Sequence, residues 1–323
     1  MLTDLEKRFQ NVSILIVGDV MLDEYISGSV SRISPEAPVP VLDVQSRKHV
    51  LGGAANVAAN VAALGATASL TGLAAQDQAG VTLRQLLAHA RIQGRLVDSG
   101  ERCTICKTRI VAGRQQVVRI DHEQRGAIPE ALLAEAISFA RTLVRDAQVI
   151  VLSDYAKGLL TEDLCIAVIE EARLGNKPVI VDPKGQDFRK YAGCTVITPN
   201  LSEAVRASGI TVENEDDLNR AGDLLKSLLP GTAILITRGA EGMTLFRENC
   251  EPLTVPTVAR QVYDVVGAGD TVVAALAVSL GAGFALPDAM HLANVAAGIV
   301  VDKPGTATAT VAEILLHDHI SKR

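Results

Sequence analysis

The sequence predicts an α/β fold: a doubly wound, mostly parallel sheet flanked by helices, with a small β-sheet lid. Short β-branched segments alternate with longer segments rich in alanine and leucine, which is the pattern of βα units in a parallel sheet. The strand segments are apolar throughout, as strands buried on both faces are. Polar, charged or glycine residues follow each of them directly, and in an open α/β sheet these carboxyl ends line one crevice.

Five segments are predicted as strands of the main sheet: "SILIVG" at 13–18, "AQVIVLS" at 147–153, "KPVIVD" at 177–182, "TVITPN" at 195–200 and "AILITRG" at 233–239. Two other segments, 22–50 and 103–121, show short alternating strands with turns. We predict that these two insertions form a lid that excludes water from the crevice; the alternative is an edge hairpin that only joins two copies of the chain. With no repeat and no linker, residues 1–323 are predicted to form a single domain.

Composition narrows the class of protein. No apolar run of the 323 residues reaches the roughly 18 that a membrane helix needs. The N-terminal "MLTDLEKRFQ" carries charges where a signal peptide is apolar. The net charge is −6 and the basic residues are spread out, which argues against a nucleic-acid surface. We therefore expect a soluble cytoplasmic protein that acts on a small molecule, without a membrane or nucleic-acid partner.

The cysteines give no sign of a disulfide framework or a metal site. There are five, an odd number, and Cys103 and Cys106 form a single CxxC. A zinc site needs a second pair or nearby histidines, and the sequence offers neither at a suitable spacing. A reducing compartment suits this pattern.

A pair of glycines opens the segment "LGGAANVAANVAALGA" at 51–66. Gly52 and Gly53 allow a tight turn before an alanine-rich helix, so that backbone N–H groups and Asn56 can approach a ligand. The alternative is a helix start that is packed closely by small residues and binds nothing.

The segment "NLSE" at 200–203 follows a predicted strand directly. Asn200 and Glu203 have the spacing of a capping box, which needs no ligand. The carboxylate of Glu203 is also expected to point into the crevice at the strand ends, where it can hold Mg²⁺ and its waters beside a nucleotide phosphate. Both interpretations remain open at this point.

The segment "DVVGAGDT" at 264–271 raises the central question of the sequence. Gly267, Ala268 and Gly269 can form a turn whose N–H groups, together with the start of the following helix, bind an anion. Asp270 then stands at the helix start, either as a helix cap or as the base that activates a hydroxyl. The chain lacks both the G-x-G-x-x-G fingerprint and the Walker lysine motif, so a phosphate must be bound without those frameworks.

Taken together, "GGAANVA", "NLSE" and "DVVGAGDT", in this order and with these separations, resemble the ribokinase-like or PfkB family of carbohydrate kinases. The resemblance spans nearly the whole chain. It implies transfer of the γ-phosphoryl group of ATP to a sugar hydroxyl. In this family the aspartate corresponding to Asp270 is the catalytic base, and Gly267, Ala268 and Gly269 correspond to the anion hole.

The resemblance also implies roles for residues at both substrates. One family motif organises Mg²⁺ and the ATP phosphates, and it corresponds here to Asn200, Leu201, Ser202 and Glu203. Within it, Glu203 is expected to hold Mg²⁺ through water. Thr237, Gly239 and Asn294 correspond to residues that contact the nucleotide. Asp264 corresponds to a residue near a monovalent cation site, which would bind K⁺. The sugar contacts correspond to Asp19, Asp23, Gly52, Gly53 and Asn56.

Two further segments, "SRISPEAPVPV" and "LSDYAKG", resemble the members of this family that act on heptose 7-phosphate. The implied reaction phosphorylates the anomeric hydroxyl of D-glycero-β-D-manno-heptose 7-phosphate, a precursor of ADP-heptose and the lipopolysaccharide core. Many such proteins carry a second, nucleotidyltransferase domain. Because the given sequence ends at "HDHISKR", the resemblance implies a stand-alone kinase and a separate nucleotidyltransferase downstream.

The 7-phosphate of such a sugar needs a cationic partner. The candidates, by charge and by position at strand ends or in the lid, are Arg32, Arg109, Lys157 and Lys184; the alternative for each is a solvated surface position. Other sugar or nucleoside kinases of the family, and a non-catalytic sugar-phosphate-binding regulator, remain as alternative functions. An exposed β lid also favours a homodimer.

Overall fold

A nine-stranded sheet forms the centre of the computed structural model, which describes residues 2–113, 115–259, 263–303 and 305–321. Side chains are described for these residues except 2, 3 and 318–321. In the described chain the strands lie in the order β13-β12-β11-β10-β9-β8-β1-β4-β5. Their bounds are β1 Ser13–Gly18, β4 Thr67–Ala74, β5 Gln93–Asp98, β8 Val149–Ser153, β9 Val179–Asp182, β10 Val196–Ile197, β11 Ala233–Thr237, β12 Met243–Phe246 and β13 Leu253–Val255.

The sheet is parallel from β5 to β11, and β12 and β13 add an antiparallel edge. Alternate residues of β1 face opposite cores: Ile14 and Ile16 pack in one hydrophobic cluster, whereas Leu15 and Val17 pack in the other. A strand that is buried on both faces needs apolar residues throughout. The mostly parallel, doubly wound sheet predicted from the sequence is therefore confirmed.

Helices cover both faces of the sheet. One cluster includes α1 Leu2–Gln10, α2 Ala54–Ala63, α3 Gln78–His89, α8 Ala268–Gly281, α9 Leu286–Val301 and α10 Val311–Ser321. The other includes α4 Glu130–Val144, α5 Glu162–Leu174, α6 Leu201–Ser208 and α7 Glu215–Leu228. Helix α8 is mostly apolar and is buried from Asp270 to Ser279, so its first turn is held firmly at the carboxyl ends of the strands. None of the described helices meets the length and hydropathy that crossing a membrane requires.

A separate small sheet is formed by the two predicted insertions. Its order is β3-β2-β6-β7, with β2 at Val20–Ile33, β3 at Pro40–Gly53, β6 at Cys106–Ala112 and β7 at Gln115–His122. Residue 114, inside the predicted segment 103–121, lies outside the described residues. The prediction of short strands is wrong for the first insertion, which is a hairpin of two 14-residue strands. Bulges at Ser27/Gly28 and Val30/Arg32 interrupt the alternation of its side chains, which made it resemble several short strands.

Candidate active site

Three cavities surround the first turn of helix α8. The central cavity, of about 170 Å³, is lined by residues that include Asp182, Glu203, Thr237, Gly269 and Asp270. The sheet cavity, of about 250 Å³, lies between this turn and the small sheet, and its lining includes Asp23, Asn56, Arg109, Gly267 and Asp270. The apolar cavity, of about 370 Å³, is lined by residues that include Gly239, Ala268, Gly269 and Asn294. The structure thus brings most of the predicted site residues together, around Asp270.

Asp270 lines both the central cavity and the sheet cavity, as do Tyr155 and Gly267. Its side chain is 6% exposed. Asn56 Nδ2 donates to Asp270 Oδ2 at 2.6 Å, and the Tyr155 hydroxyl donates to Asp270 Oδ1 at 2.5 Å. Burial raises the pKa of Asp270 to about 6, although both hydrogen bonds act in the opposite direction. A carboxylate held in this way is a stronger base than an ordinary aspartate.

The backbone of the "GAGD" turn presents N–H groups beside Asp270. Gly267 has φ +82° and directly precedes the helix, a conformation that favours glycine. The Ala268 N–H donates to the Val265 carbonyl at 3.2 Å. This corrects the prediction that Ala268 belongs to the anion hole, because its N–H group is used within the turn. Among the described residues, the N–H groups of Gly267, Gly269 and Asp270 have no acceptor. Together with the positive end of helix α8 they can meet an anion.

Tyr155 is a site residue that the sequence analysis did not single out. It follows β8, and Asp19 accepts hydrogen bonds from the Tyr155 and Lys157 N–H groups at 2.9 and 3.0 Å. Asp154 fixes the same turn, because it accepts from the Ala156 N–H and the Lys190 ammonium, both at 2.6 Å. The turn aims the Tyr155 hydroxyl at Asp270. The available signal was "LSDYAKG", which carries the only tyrosine that directly follows a predicted main-sheet strand.

Glu203 realises the capping box and also lines the central cavity. Asn200 accepts from the Glu203 N–H at 2.9 Å, and Glu203 Oε2 accepts from the Asn200 N–H at 3.0 Å. Its other oxygen, Oε1, lies 2.6 Å from the Lys184 ammonium. Asp182, which the sequence analysis did not single out, lines the same cavity. Burial, with the charges of Asp270 and Glu203, raises the pKa of Asp182 well above its ordinary value.

The glycine pair brings β3 against Asp23 on β2. A Cβ on Gly52 would lie 2.6 Å from Asp23 Oδ2, and Gly53, with φ +56°, lines the sheet cavity. Arg109 donates to Asp23 Oδ1 at 2.6 Å, and both side chains are buried. Small residues are therefore required where the small sheet leaves the main fold, because any side chain would displace this ion pair.

The predicted nucleotide residues lie around the apolar cavity. Thr237 is the last residue of β11 and Gly239 lies just after it, and Thr237 also lines the central cavity. Asn294 is buried on α9, and its amide donates to the Pro256 carbonyl at 2.8 Å. Leu201 and Ser202 line none of the three cavities: Leu201 packs beside the core and Ser202 is exposed. Their predicted role is limited to the helix turn that carries Glu203.

Three predicted sugar contacts point elsewhere. Asp19 is used by the turn after β8, and burial raises its pKa to about 6. The Lys157 ammonium lies 2.6 Å from Glu123, and Asp19 and Lys157 line a small separate cavity of about 30 Å³. Lys184 lies in the central cavity with Glu203. Arg32, on the exposed part of β2, also misses the sheet cavity, so Arg109 alone of the four predicted cations is among its described lining residues.

The carboxylate of Asp264 joins two loops. Its oxygens accept from the Val266 N–H at 3.0 Å and from the Gly305 N–H at 3.2 Å. Within the described ranges, no cluster of three or more His, Cys, Asp or Glu side chains has the geometry of a metal site. All five cysteines are free thiols.

The profile of the pfkB family of carbohydrate kinases matches residues 12–313. The chain therefore belongs to this family, and it is an ATP-dependent carbohydrate kinase. The family resemblance found in the sequence is confirmed.

Relatives and solved structures agree with this membership. The chain is 47% identical over 315 residues to "Bifunctional protein HldE" of Caulobacter vibrioides, covering 97% of this chain and 65% of the relative. It is also 47% identical over 312 residues to "Bifunctional protein HldE" of Geobacter metallireducens, covering 95% and 63%. The chain thus spans about two thirds of the length of these relatives.

Two solved structures show the same fold. Ribokinase of Arabidopsis thaliana, complexed with ribose and ATP, superimposes with a TM-score of 0.74 at 21% identity, covering 95% of this chain and 98% of that chain. Phosphofructokinase-2 of Escherichia coli, in complex with potassium, superimposes with a TM-score of 0.80 at 18% identity, covering 97% and 99%.

Proposed function

We propose that the chain transfers the γ-phosphoryl group of ATP to the anomeric hydroxyl of D-glycero-β-D-manno-heptose 7-phosphate, forming heptose 1,7-bisphosphate on the route to ADP-heptose and the lipopolysaccharide core. The observation that carries the chemistry is that Asp270 lines both the central and the sheet cavity. The segments "SRISPEAPVPV" and "LSDYAKG" support the choice of sugar. The 47% identity to the two relatives, against 21% to ribokinase, supports a substrate other than ribose.

The two substrates approach Asp270 from opposite sides. The sugar occupies the sheet cavity with its anomeric hydroxyl at Asp270, and the triphosphate occupies the central cavity. Asp270 accepts the proton of the hydroxyl, the hydroxyl oxygen forms a bond to the γ-phosphorus, and the bond from the γ-phosphorus to the β-bridging oxygen breaks. The products are the sugar 1-phosphate ester, ADP and the proton on Asp270.

Hydrogen bonds orient the base without removing its basicity. Asn56 and Tyr155 each donate to a different oxygen of Asp270, so each oxygen keeps a lone pair for the incoming proton. With a pKa of about 6, Asp270 is ionised near neutral pH. It is also matched to that pH better than an ordinary aspartate.

The start of helix α8 meets the charge of the transferred group. The N–H groups of Gly267, Gly269 and Asp270 lie beside the base and have no acceptor in the described chain. Preorganised donors of this kind stabilise charge that develops on phosphoryl oxygens. They take the place of the lysine loop of other nucleotide-binding proteins.

The carboxylates of the central cavity suit Mg²⁺. Asp182, Glu203 and Asp270 line one cavity; burial raises the pKa of Asp182 well above its ordinary value, and repulsion from Asp270 and Glu203 raises it further. A hard divalent cation relieves this repulsion and prefers oxygen ligands, with waters and phosphates completing its shell. Asp182 and Glu203 would hold it through water, and the ion would neutralise charge on the nucleotide phosphates. Asp264 is our candidate for a K⁺ site. A comparison of activity in K⁺ buffer with activity in Na⁺ buffer tests this assignment.

The remaining nucleotide contacts and the lid complete the proposal. Adenine occupies the apolar cavity beside Gly239 and Asn294. Asp23, Gly53 and Asn56 face the sugar, and the small sheet covers it as a lid. Closure over the sugar excludes water, which would otherwise compete as an acceptor.

The small sheet is also our candidate for a homodimer interface. Seven large apolar side chains on this sheet and its loop are at least 40% exposed: Val30, Ile33, Val39, Val44, Val117, Val118 and Ile120. Exposed apolar edge strands favour pairing with another chain. Light scattering tests this, since Ile120→Lys should shift a dimer to monomer and a monomeric parent would contradict it. A cytoplasmic location is proposed as well, because free thiols suit a reducing compartment.

A substrate panel tests the function. ADP release with Mg²⁺-ATP is measured for heptose 7-phosphate, ribose, fructose 6-phosphate and adenosine, with Asp270→Asn as the matched inactive control. We expect the highest kcat/KM for heptose 7-phosphate and a new phosphorus resonance at the anomeric position. A higher kcat/KM for another acceptor would assign a different kinase of the family. Binding of sugar phosphate without ADP release would indicate a regulator.

A further inference from the structure

One face of the small sheet places three cations in the sheet cavity. Lys107 and Arg109 lie on β6 and Arg119 lies on β7, and all three line the cavity that also contains Asp270. Arg109 and Arg119 stand directly opposite each other in the β6–β7 ladder. Like charges at opposed positions of a ladder destabilise it, so an anion placed between them stabilises this arrangement. We propose that Lys107, Arg109 and Arg119 bind the phosphate group that the acceptor sugar carries away from its reacting hydroxyl.

Lys107 differs from Lys157 and Lys184 in how it is paired. Lys157 and Lys184 each lie 2.6 Å from a carboxylate oxygen, of Glu123 and Glu203 respectively. Lys107 is only 13% exposed, yet its nearest carboxylate oxygens, on Asp121 and Glu123, are 3.5 and 3.9 Å away. An ammonium that is mostly buried and loosely paired retains donors for a ligand. Lys107 is therefore the centre of the phosphate site.

Arg109 and Arg119 supply further donors from either side. Arg109 uses Nη1 for Asp23, and a guanidinium has five N–H donors, so the rest of its fork is available to the cavity. Arg119 is 49% exposed and binds Asp121 through Nε and Nη2 at 2.8 and 3.0 Å. It lies at the rim and shares its charge between Asp121 and the incoming phosphate. Arginine forks match the geometry of phosphate oxygens.

The position of these cations fits the shape of the proposed substrate, and this inference rests on the proposed function. Among the residues that line the cavity, Asn56, Tyr155, Gly267 and Asp270 come from the main fold, whereas the three cations come from the small sheet. In a heptose 7-phosphate the phosphate is attached at the opposite end of the sugar from the anomeric carbon. With its anomeric hydroxyl at Asp270, the sugar extends its phosphate toward the small sheet.

This arrangement makes the small sheet the source of substrate choice. A sugar without the terminal phosphate would cover the N–H donors of Lys107 and Arg109 that their carboxylate partners do not use, and would offer those donors no acceptor. A site that buries polar groups without partners rejects such a ligand strongly. The kinase chemistry at Asp270 is unchanged in either case.

The test is the preference for a phosphorylated acceptor, measured as the ratio of kcat/KM for heptose 7-phosphate to that for heptose. In Lys107→Met we expect this ratio to fall about 10- to 100-fold, the loss expected for one charge-assisted contact. The fall should lie in KM for the sugar phosphate, with KM for ATP unchanged. Lys48→Met is the matched control, because Lys48 lies exposed on β3, opposite Tyr25 of β2, and does not line the cavity.

A second measurement separates this proposal from the proposed function. The increase in Tm produced by mannose 6-phosphate over that produced by mannose reports phosphate binding whichever sugar is turned over. We expect this increase in the parent and in Lys48→Met, and its loss in Lys107→Met. If the parent turns over another acceptor but Lys107→Met still loses the Tm increase, the proposed function fails and the phosphate site stands. If Lys107→Met keeps both the ratio and the Tm increase, or if Lys157→Met lowers them instead, the phosphate site is wrong.

Discussion

The two sides of Asp270 are built from different materials. On the central-cavity side the ligand-facing groups are backbone N–H groups of the "GAGD" turn and a carboxylate held in a capping box. On the sheet-cavity side they are charged side chains of a four-stranded sheet, such as Lys107 and Arg109. Backbone geometry suits the phosphate chain of a nucleotide, whereas side chains of the small sheet can change with the acceptor. The difference indicates that catalysis and substrate choice can be altered separately.

Asp270→Asn should have the largest effect, because it removes the base that both sides share. We expect kcat to fall by about 10²–10⁴, the usual contribution of a general base. The folded structure and ATP affinity should be retained, because an asparagine oxygen can accept from Asn56 while its amide donates to the Tyr155 hydroxyl. The measurements are kcat, Tm and ATP affinity. A folded variant with nearly the parent kcat would show that Asp270 has only a structural role, as the acceptor for Asn56 and Tyr155.

Glu203→Gln tests the central-cavity side alone. A capping box accepts glutamine in place of glutamate, so Tm should change little, while loss of the charge should lower kcat/KM about 10- to 100-fold and raise the Mg²⁺ requirement. Glu313→Gln is a matched control: Glu313 also accepts the N–H of its helix cap, Thr310, and lies 2.6 Å from a lysine, Lys303. Equal kinetics in the two variants would remove Glu203 from the site.

Tyr155→Phe examines the link between the two sides. The hydroxyl donates to the charged form of Asp270 and lowers its pKa, so its loss should move the acid limb of kcat/KM to higher pH and lower kcat about tenfold. Tyr191→Phe loses the same kind of bond, to Asp154 at 2.6 Å. The control should lose stability with no shift of the limb. An identical shift in both variants would mean that Tyr155 acts only through the fold.

Gly267→Ala should have the smallest effect on activity. Gly267 has φ +82°, and a Cβ there would lie 2.9 Å from Asn56 Nδ2. Gly231 has φ +78° with nothing within 4 Å of its added Cβ, so both variants should lose about 1–2 kcal/mol of unfolding free energy through backbone strain. A loss of kcat is expected only in Gly267→Ala, through displacement of Asn56. The measurements are chemical denaturation and kcat for both glycine variants. Equal kcat values would mean that the turn at Gly267 is a purely structural element.

The same difference explains what could be predicted from the sequence. The main sheet, the capping box and the "GAGD" turn depend on residues that are adjacent in the chain, so their patterns indicated the fold and Asp270 directly. Lys107 and Arg119 are twelve positions apart and meet only through the register of β6 and β7, which alternation alone does not fix. Lys157 and Lys184 are candidates in the sequence because each closely follows a predicted strand, whereas nothing in the sequence near Lys107 shows that it faces the same cavity as Arg119.

Asp182 and Tyr155 were missed for a related reason. Asp182 ends one predicted strand and Tyr155 lies just after another, so the approximate location of each residue was available. Its orientation was not, because it depends on a turn fixed by distant partners. The Tyr155 turn is fixed by the carboxylate of Asp19. This residue directly follows β1 and is 136 residues away from Tyr155 in the chain. Local sequence carries no signal for such a contact.

The most direct test of the account is the pH dependence of kcat/KM in the parent and in Asp270→Asn. Because the base must be unprotonated, kcat/KM of the parent should rise with pH and level off above a pKa of about 6. The residual rate of Asp270→Asn should lack this limb, since asparagine does not titrate. The same limb in both proteins would contradict the assignment of Asp270 as the base that joins the two cavities.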